Sequence, residues 1–143
     1  MNNTIDLYQH RDEGYNPYLI TSKWQIAQLN YSENQALENI IRLDIHHKTD
    51  ESFYLIKGEV ILIGAEIVSD DVSFDFKLMK QGIVYNIRQN IWHNIVMMPG
   101  SQVLIIEDSN THLGDFDFFY LSKNQIDEMA KNVSALFTET KIK

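Results

Sequence analysis

The chain has 143 residues, of which 44% are hydrophobic and 11% aromatic, as is typical of one folded globular domain. Its 12 basic and 20 acidic side chains give a net charge of −8, which disfavours binding to nucleic acid or anionic membranes. It has no cysteine, which excludes disulfides, thiolate metal sites and cysteine nucleophiles. Because no signal-peptide pattern and no apolar run of about 18 residues occurs, we expect a cytoplasmic protein without a membrane-spanning segment.

Most of the chain consists of short segments of β-forming residues separated by polar turns. An N-terminal arm or edge strand at 1–16 is limited in its pairing by Pro17. Further strands are expected at 23–31, 39–47, 52–63 with a hairpin turn at Gly58, 72–78, 83–85, 92–97, 103–107 and 118–121. Turns at intervals of roughly 8 to 12 residues are typical of a β-sandwich or barrel.

An amphipathic helix is expected at the C-terminal end, at about 122–138. Ser122 is followed three residues later by Gln125, which is the capping-box pattern of a helix start. Apolar residues then recur at helical spacing at Ile126, Met129, Val133, Leu136 and Phe137. With a barrel core at about 23–121, the sequence predicts a single domain over 1–143.

Two stretches, at 44–58 and 82–93, place polar residues beside strands that otherwise consist of core residues. Alternation puts His47 on the apolar face of its strand, and His46 on the opposite face. Glu51 has the same parity as His47, and His93 follows a turn in the second stretch. We therefore expect His47, Glu51 and His93 to converge in a barrel interior, as an open divalent-metal site requires.

Aromatic and charged residues near these stretches are candidates for binding a small molecule. Tyr54, Tyr85 and Trp92 could line a pocket, and the guanidinium of Arg88 could bind a carboxylate or phosphate. Glu107 ends an apolar strand and could act as an acid or base, as could Tyr85. Core packing of the aromatic residues and a surface position for the charged ones are the alternative interpretations.

Residues 47–58 (HKTDESFYLIKG) resemble the second half of the first cupin motif, G-x5-H-x-H-x3,4-E-x6-G. Residues 82–93 (GIVYNIRQNIWH) resemble the second motif, G-x5-P-x-G-x2-H-x3-N. The resemblance covers about 39–97. It implies an all-β double-stranded β-helix, the cupin jelly-roll barrel, here with a C-terminal helix. It also implies that iron, manganese, zinc or nickel is bound by the motif histidines and glutamate.

Several positions depart from the two motifs: Asn39 and Ile45 replace the leading glycine and first histidine, and Arg88, Asn90 and Met97 replace the proline, turn glycine and final asparagine. The change at Asn90 is mild, because asparagine tolerates the left-handed conformation that glycine supplies in turns.

The missing first histidine leaves three possibilities for the site. A bulge near Lys48 could turn His46 inward as a further ligand. Alternatively, the three ligands His47, Glu51 and His93 suffice. The third possibility is a polar pocket that binds metal weakly or not at all.

Two classes of function follow from the resemblance. In the first, the protein is a metal-dependent lyase, isomerase or oxygenase acting on a sugar derivative or a small carboxylic acid. The second half is loosely similar to ureidoglycolate lyase-like proteins and sugar-nucleotide ketoisomerases. In the second class, it is a ligand-binding module without turnover. Because cupin barrels frequently pair through edge strands, we expect a homodimer formed through the region 15–31.

Overall fold

The computed structural model describes residues 3–142 and places in them ten strands and a C-terminal helix, α1, at Lys123–Ile142. The strands are β1 Gly14–Ile20, β2 Trp24–Asn30, β3 Arg42–Ile45, β4 Glu51–Lys57, β5 Val60–Val68, β6 Asp71–Leu78, β7 Val84–Ile87, β8 Trp92–Met97, β9 Gln102–Asp108 and β10 Asp117–Tyr120. They form two antiparallel sheets: sheet I has the order β1-β2-β9-β4-β7, and sheet II the order β10-β3-β8-β5-β6. The predicted all-β jelly roll with a C-terminal helix is confirmed.

The space between the two sheets is filled by an apolar core. Alternate residues of strands in both sheets point into it, and those that are buried include Ala27, Leu29, Phe53, Leu55, Val60, Leu62, Ile95, Met97, Val103 and Ile105. Burying each large aliphatic or aromatic side chain stabilises the fold by about 1.5–3 kcal/mol. This core holds the two sheets face to face, and it sets which residues of each strand face the interior.

A second apolar layer lies on the outer face of sheet II, beneath α1. Ile63 and Val96 of sheet II pack there with Met129 and Val133 of the helix. Strand β3 contributes Leu43 to this outer layer. Because neighbouring side chains on a strand point to opposite faces, the polar residues of β3 face the barrel interior.

The helix begins as the sequence predicts, with a capping box. Ser122 N–H donates to Gln125 Oε1 at 2.9 Å, and Gln125 N–H donates to Ser122 Oγ at 3.2 Å. The helix continues to Ile142, beyond the expected end at 138. Among the described helices, none combines the length and the apolar character that crossing a membrane would require.

The turn at Gly58 exists, but the predicted hairpin around it is wrong. Strand β4 pairs with β7 and β9 in sheet I, whereas β5 pairs with β6 and β8 in sheet II. The turn therefore carries the chain from one sheet to the other. Gly58 has φ +95°, and a Cβ atom there would collide with Ser101 in the turn between β8 and β9. Only glycine fits this combination of backbone angle and close approach.

The N-terminal segment forms both an arm and an edge strand. Strand β1 lies at the edge of sheet I, so the sheet starts before residue 23, and its pairing with β2 is irregular between Asn16 and Leu19, around Pro17. The arm before it lies against β2, whose Gln28 and Asn30 amides donate to the His10 carbonyl at 3.1 and 3.0 Å.

Candidate functional site

Three side chains with metal-binding atoms meet between the two sheets. Glu51 is the first residue of β4, His93 is the second residue of β8, and His46 directly follows β3. Glu51 Oε2 lies 3.0 Å from His46 Nε2 and 2.9 Å from His93 Nε2. Glu51 and His93 are only 7% and 6% exposed. Two imidazoles and a carboxylate form the kind of donor set that open iron or zinc sites use.

Both imidazoles are oriented by main-chain carbonyls. His46 Nδ1 lies 2.6 Å from the Asp115 carbonyl oxygen, and His93 Nδ1 lies 2.9 Å from the carbonyl oxygen of Ile91. Because a carbonyl oxygen can only accept, each Nδ1 carries a proton and donates it. In the neutral imidazole, Nε2 then presents a lone pair, so two lone pairs and the Glu51 carboxylate point at each other. Such an arrangement requires a cation, either a metal ion or protons on the imidazoles.

The electrostatics of the three groups are dominated by their mutual contacts. Burial opposes ionisation of Glu51, but hydrogen bonds from His46 and His93 outweigh it and lower the pKa of Glu51. Burial also opposes protonation of His46, yet its hydrogen bond to Glu51 and the charge of that residue raise the pKa of His46 to about 9. The same competition raises the pKa of His93. When no metal is bound, the carboxylate is therefore balanced by imidazole protons.

The three side chains open into a cavity of about 170 Å³. Its remaining lining combines apolar residues of the core with polar residues: Leu29, Phe53, Ile95 and Ile105, and Tyr15, Gln35, Asp44 and Asn94. A second pocket of about 370 Å³ shares Gln35, Asp44 and Asn94 and adds Arg42. Ligand pockets commonly occupy about 300–1,000 Å³, so the two spaces together suit a small metabolite.

Tyr15 links this cavity to a buried carboxylate behind it. Its hydroxyl donates to Glu107 Oε1 at 2.8 Å, and Gln25 Nε2 donates to the same oxygen at 3.0 Å. Glu107 is the Cα partner of Glu51 across β9 and β4. Burial and the charge of Glu51 raise the pKa of Glu107. The carboxyl group of Glu107 therefore lies within one hydrogen bond of a hydroxyl that lines the cavity.

Comparisons with known proteins bear on the fold. No protein-family model and no curated protein matches the chain. The capsular polysaccharide assembling protein CapF from Staphylococcus aureus matches with TM-score 0.50 at 18% identity, covering 81% of this chain and 34% of that chain. Peruvianin-I, a cysteine peptidase from Thevetia peruviana latex, matches with TM-score 0.50 at 15% identity, covering 76% of this chain and 69% of that chain. A cupin-2 domain containing protein from Shewanella frigidimarina matches with TM-score 0.44 at 16% identity, covering 71% and 84%.

The structure is an all-β jelly roll of two five-stranded antiparallel sheets with a C-terminal helix. At these identities the likeness concerns the fold and carries no activity across. The absence of cysteine from this chain illustrates the point, because the activity of a cysteine peptidase needs a thiolate nucleophile.

The positions of the three clustered side chains revise the match of the sequence to the first cupin motif. The motif allows either three or four residues between its second histidine and its glutamate. With His46 as that histidine, the spacing to Glu51 is four residues, and Asp44, rather than Ile45, stands where the first histidine would be. Gly58 and the second-motif His93 keep their places. Asn90 adopts φ +64°, the left-handed conformation of the turn glycine that it replaces.

The prediction that His47 points into the barrel is wrong. His47 is exposed, with Nε2 2.7 Å from Asp117 Oδ2 and Nδ1 2.9 Å from Asn90 Oδ1. The apolar face of β3, represented by Leu43, points toward α1 rather than into the barrel. His46 therefore faces the cavity with the parity of Asp44, and no bulge near Lys48 is needed to turn it inward.

Two of the four predicted ligand-binding residues lie on the outer faces of the sheets. Trp92 precedes the inward-facing His93, and its ring packs edge-on against Phe119 with centroids 6.0 Å apart. Tyr54 follows the inward-facing Phe53, and it is 39% exposed on the outer face of sheet I. Side-chain alternation explains both positions. Neither residue lines the cavity that contains His46.

The other two predicted residues line separate pockets. Tyr85 accepts the Lys80 N–H at 3.0 Å through its hydroxyl, and it borders a space of about 150 Å³ between sheet edges. Arg88 lines a pocket of about 360 Å³ together with Asp75. The catalytic role predicted for Tyr85 is therefore not supported by its position, whereas Glu107 lies directly behind the cavity.

Sequence reasoning missed Tyr15, Asp44 and Asn94 as cavity residues. Tyr15 lies in the segment 1–16, which the sequence predicts to be an arm or edge strand. Its hydroxyl reaches Glu107 only because β1 pairs with β2. Asp44 carried a usable signal, because it alternates with His46 on the polar face of the strand. Asn94 lines the cavity where β8 runs beside β3, and its amide donates to the Arg42 carbonyl at 2.8 Å, a contact that has no sequence signature.

Proposed function

We propose that this chain is a cupin that binds a divalent metal ion through His46, Glu51 and His93, and that a small polar metabolite binds in the adjoining cavity. The observation that carries the proposal is the convergence of two imidazole Nε2 atoms on Glu51 Oε2, with both Nδ1 atoms committed to carbonyl oxygens. Nitrogen and carboxylate donors of this kind suit iron, manganese, zinc or nickel. A sugar derivative or a small carboxylic acid is the substrate class that fits a small cavity with apolar walls and several polar side chains.

The chemistry that the site supports is proton transfer next to a polarised oxygen. A metal bound there would supply Lewis-acid polarisation of a carbonyl or hydroxyl group. Tyr15 presents its hydroxyl to the cavity, and Glu107 accepts the hydroxyl proton in a 2.8 Å hydrogen bond. Gln25 fixes the carboxylate from the other side. Burial and the charge of Glu107 raise the pKa of Tyr15, so its hydroxyl stays protonated and its oxygen can accept a hydrogen bond from a ligand. Glu107, whose pKa burial also raises, is the group that could take up or release a proton, which favours lyase or isomerase chemistry over oxygenase chemistry.

A second candidate function is ligand binding without turnover or metal. It is favoured because the cluster can balance its own charge without a metal ion. The pKa of His46 is raised to about 9, so at neutral pH its protonated imidazole neutralises the Glu51 carboxylate. In this case the pocket remains a polar binding site, and the same cavity takes the ligand. The two functions differ in whether the three side chains hold a metal ion.

The proposal is tested by the metal content of protein purified without a histidine tag and measured by inductively coupled plasma mass spectrometry. Wild type is compared with His46→Ala and His93→Ala, and His47→Ala serves as the matched control because this imidazole is exposed. The expected result is bound metal in wild type and His47→Ala, and its loss in the other two variants. Equal metal content in all four proteins, or no metal in wild type after incubation with each candidate ion, contradicts the proposal.

We also propose that the chain acts as a single-domain cytoplasmic protein that forms a homodimer. Among the described strands, β1 pairs with β2 alone, so its outer edge is available for pairing with a second copy. The net charge of −8 supports a small molecule, and not nucleic acid, as the ligand. A monomer mass by light scattering at micromolar concentration would contradict the homodimer.

A further inference from the structure

A groove opens between the two sheets at their edge strands β6 and β7, which do not pair with each other. It contains the pocket of about 360 Å³ that Arg88 lines and, beside it, the space of about 150 Å³ that Tyr85 borders. The two spaces share Gly64, Asp75 and Ile87. None of the three clustered side chains of the proposed metal site lines either space, so the groove is a separate candidate for ligand binding.

Strand pairing decides which side chains reach the larger pocket. Glu66 of β5 is the Cα partner of Ser73 on β6, and Gly64 is the partner of Asp75. Directly opposed residues in antiparallel strands project to the same side, so these four positions share one wall. Arg88, which directly follows β7, lines the pocket from the other sheet. The fold thus brings a carboxylate and a guanidinium from different sheets to one pocket.

Glu66 and Arg88 are not paired with each other or with another group. Within the described residues 3–142, neither side chain makes a hydrogen bond or an ion pair. The other carboxylate of the pocket, Asp75, is balanced by Lys77, whose Nζ lies 3.0 Å from Asp75 Oδ1. One negative and one positive charge are therefore left for a ligand to pair with.

Asp50 lies near Arg88 without contacting it. Its carboxylate accepts hydrogen bonds from the Asn86 amide and from the Gln89 N–H, both at 3.0 Å. These two bonds, together with the charge of Arg88, lower the pKa of Asp50. The guanidinium therefore acts on Asp50 from a distance, and its N–H groups stay available for a ligand.

We propose that this groove binds a zwitterionic α-amino acid, with the ligand carboxylate on Arg88 and the ligand ammonium group on Glu66. A guanidinium binds a carboxylate through two parallel N–H···O bonds, and a carboxylate accepts well from an ammonium group. A simple anion would meet repulsion from Glu66 and Asp75, and a simple cation would leave Arg88 unpaired. A zwitterion satisfies both side chains at once.

The smaller space suits an apolar side chain of this ligand. Its lining includes Leu62 and the ring of Tyr85, whose hydroxyl is fixed by the Lys80 N–H at 3.0 Å. Gly64 lines both spaces, and a Cβ atom there would have only the Asp75 carbonyl oxygen within 4 Å, at 3.9 Å. The absence of a side chain at Gly64 leaves room for a ligand to extend from one space into the other, so valine or leucine is the kind of amino acid that fits.

The test measures binding of L-valine and L-leucine by isothermal titration calorimetry to protein kept in a chelator, so that the result does not depend on the proposed metal site. Ligand concentrations extend to about 10 mM, because a small ligand with few contacts binds weakly. N-acetyl-L-leucine, which lacks the ammonium group, and L-leucinamide, which lacks the carboxylate, are the matched probes. We expect the free amino acids to bind and both derivatives to bind at least about tenfold more weakly.

Two variants remove the charges one at a time. Arg88→Gln and Glu66→Gln are each expected to weaken binding by about tenfold or more, because hydrogen bonds to charged groups are stronger than neutral ones. Arg11→Gln and Glu128→Gln are the matched controls, since they make the same substitutions at exposed positions outside the groove. These controls change binding by no more than about twofold, because water and salt screen their charges.

Gly64→Val fills the groove without removing either charge. It is expected to abolish measurable binding of L-leucine. Its melting temperature should stay at or above that of wild type, because a β-branched residue favours a strand and a glycine in a strand interior weakens it. Melting curves of all variants check that lost binding does not come from unfolding.

The proposal is overturned if neither L-valine nor L-leucine binds to wild type, or if either derivative binds as tightly as free L-leucine. It is also overturned if Arg88→Gln or Glu66→Gln binds like its control, or if a folded Gly64→Val binds like wild type. Since every measurement is made without metal, these results leave the proposed metal binding through His46, Glu51 and His93 to be decided by its own test.

Discussion

Asp115 holds His46 in place through both its main chain and its side chain. Its carbonyl oxygen accepts the His46 Nδ1 proton at 2.6 Å. Its carboxylate accepts the backbone N–H groups of His47 and Lys48 at 2.9 and 3.0 Å, and these bonds lower the pKa of Asp115 against the opposing effect of burial. Asp115, two residues before β10, therefore fixes the turn and the imidazole that follow β3.

Asp115→Ala is expected to weaken metal binding without removing a ligand. The substitution keeps the carbonyl that orients His46 but removes the carboxylate that holds the turn, so the imidazole gains orientational freedom. Outer partners of this kind change metal affinity by roughly 10- to 100-fold, and we expect about tenfold here by metal titration. Asp117→Ala is the control, because that carboxylate contacts the exposed His47. A metal affinity for Asp115→Ala equal to that of the control would refute the role of Asp115.

The stability of the metal-free protein is expected to fall as the pH rises above neutrality. The pKa of His46 is raised from 6.5 to about 9 in the folded chain, so the imidazole binds its proton more tightly when folded. The resulting stabilisation is complete below pH 6.5 and is lost as the pH rises through about 9. Melting temperatures measured in a chelator should decline across this window.

A variant separates this effect from general alkaline denaturation. In His46→Gln, the decline between these two pH values should shrink, because the group that titrates is absent. Metal affinity should show the opposite trend in wild type, rising over the same window as protons cease to compete for Nε2. A flat melting profile for the wild-type protein would contradict the pairing of His46 with Glu51.

Gly58→Ala is expected to destabilise the barrel more than Gly82→Ala does. Both glycines have positive φ, +95° and +84°, so both substitutions carry a backbone strain of about 1–3 kcal/mol. Only at Gly58 would the new Cβ atom also collide with Ser101, whereas at Gly82 no atom lies within 4 Å. Urea denaturation should give the larger loss of unfolding free energy for Gly58→Ala. Equal losses would show that the collision is relieved by movement of the turn.

The sequence was informative about strands and turns because their patterns are local. Alternation of side chains predicts β2 and β6, and the capping box predicts the start of α1. The partner strands of β4 and of β5 could not be predicted in this way, because a glycine turn can have the same sequence whether it joins two strands of one sheet or strands of two different sheets. Gly58 shows this, since its turn is local but its contact with Ser101 spans two distant parts of the chain.

The orientation of the candidate metal-binding residues needed information that no single strand contains. Alternation showed that His46 and His47 point to opposite faces, but not which face borders the barrel. Packing against α1 decides this, because the helix covers the outer face of sheet II and Leu43 is buried in the apolar layer between them. Tyr15 depends likewise on a tertiary contact, its hydrogen bond to Glu107. The sequence thus indicated the kind of site, and packing against the helix decided its members.

Anomalous diffraction from crystals of the metal-loaded protein tests the central claim most directly. The account predicts one strong peak at the absorption edge of the bound metal, about 2.0–2.3 Å from His46 Nε2, His93 Nε2 and a carboxylate oxygen of Glu51. A peak beside His47, or fully loaded crystals with no peak between these three side chains, would contradict it.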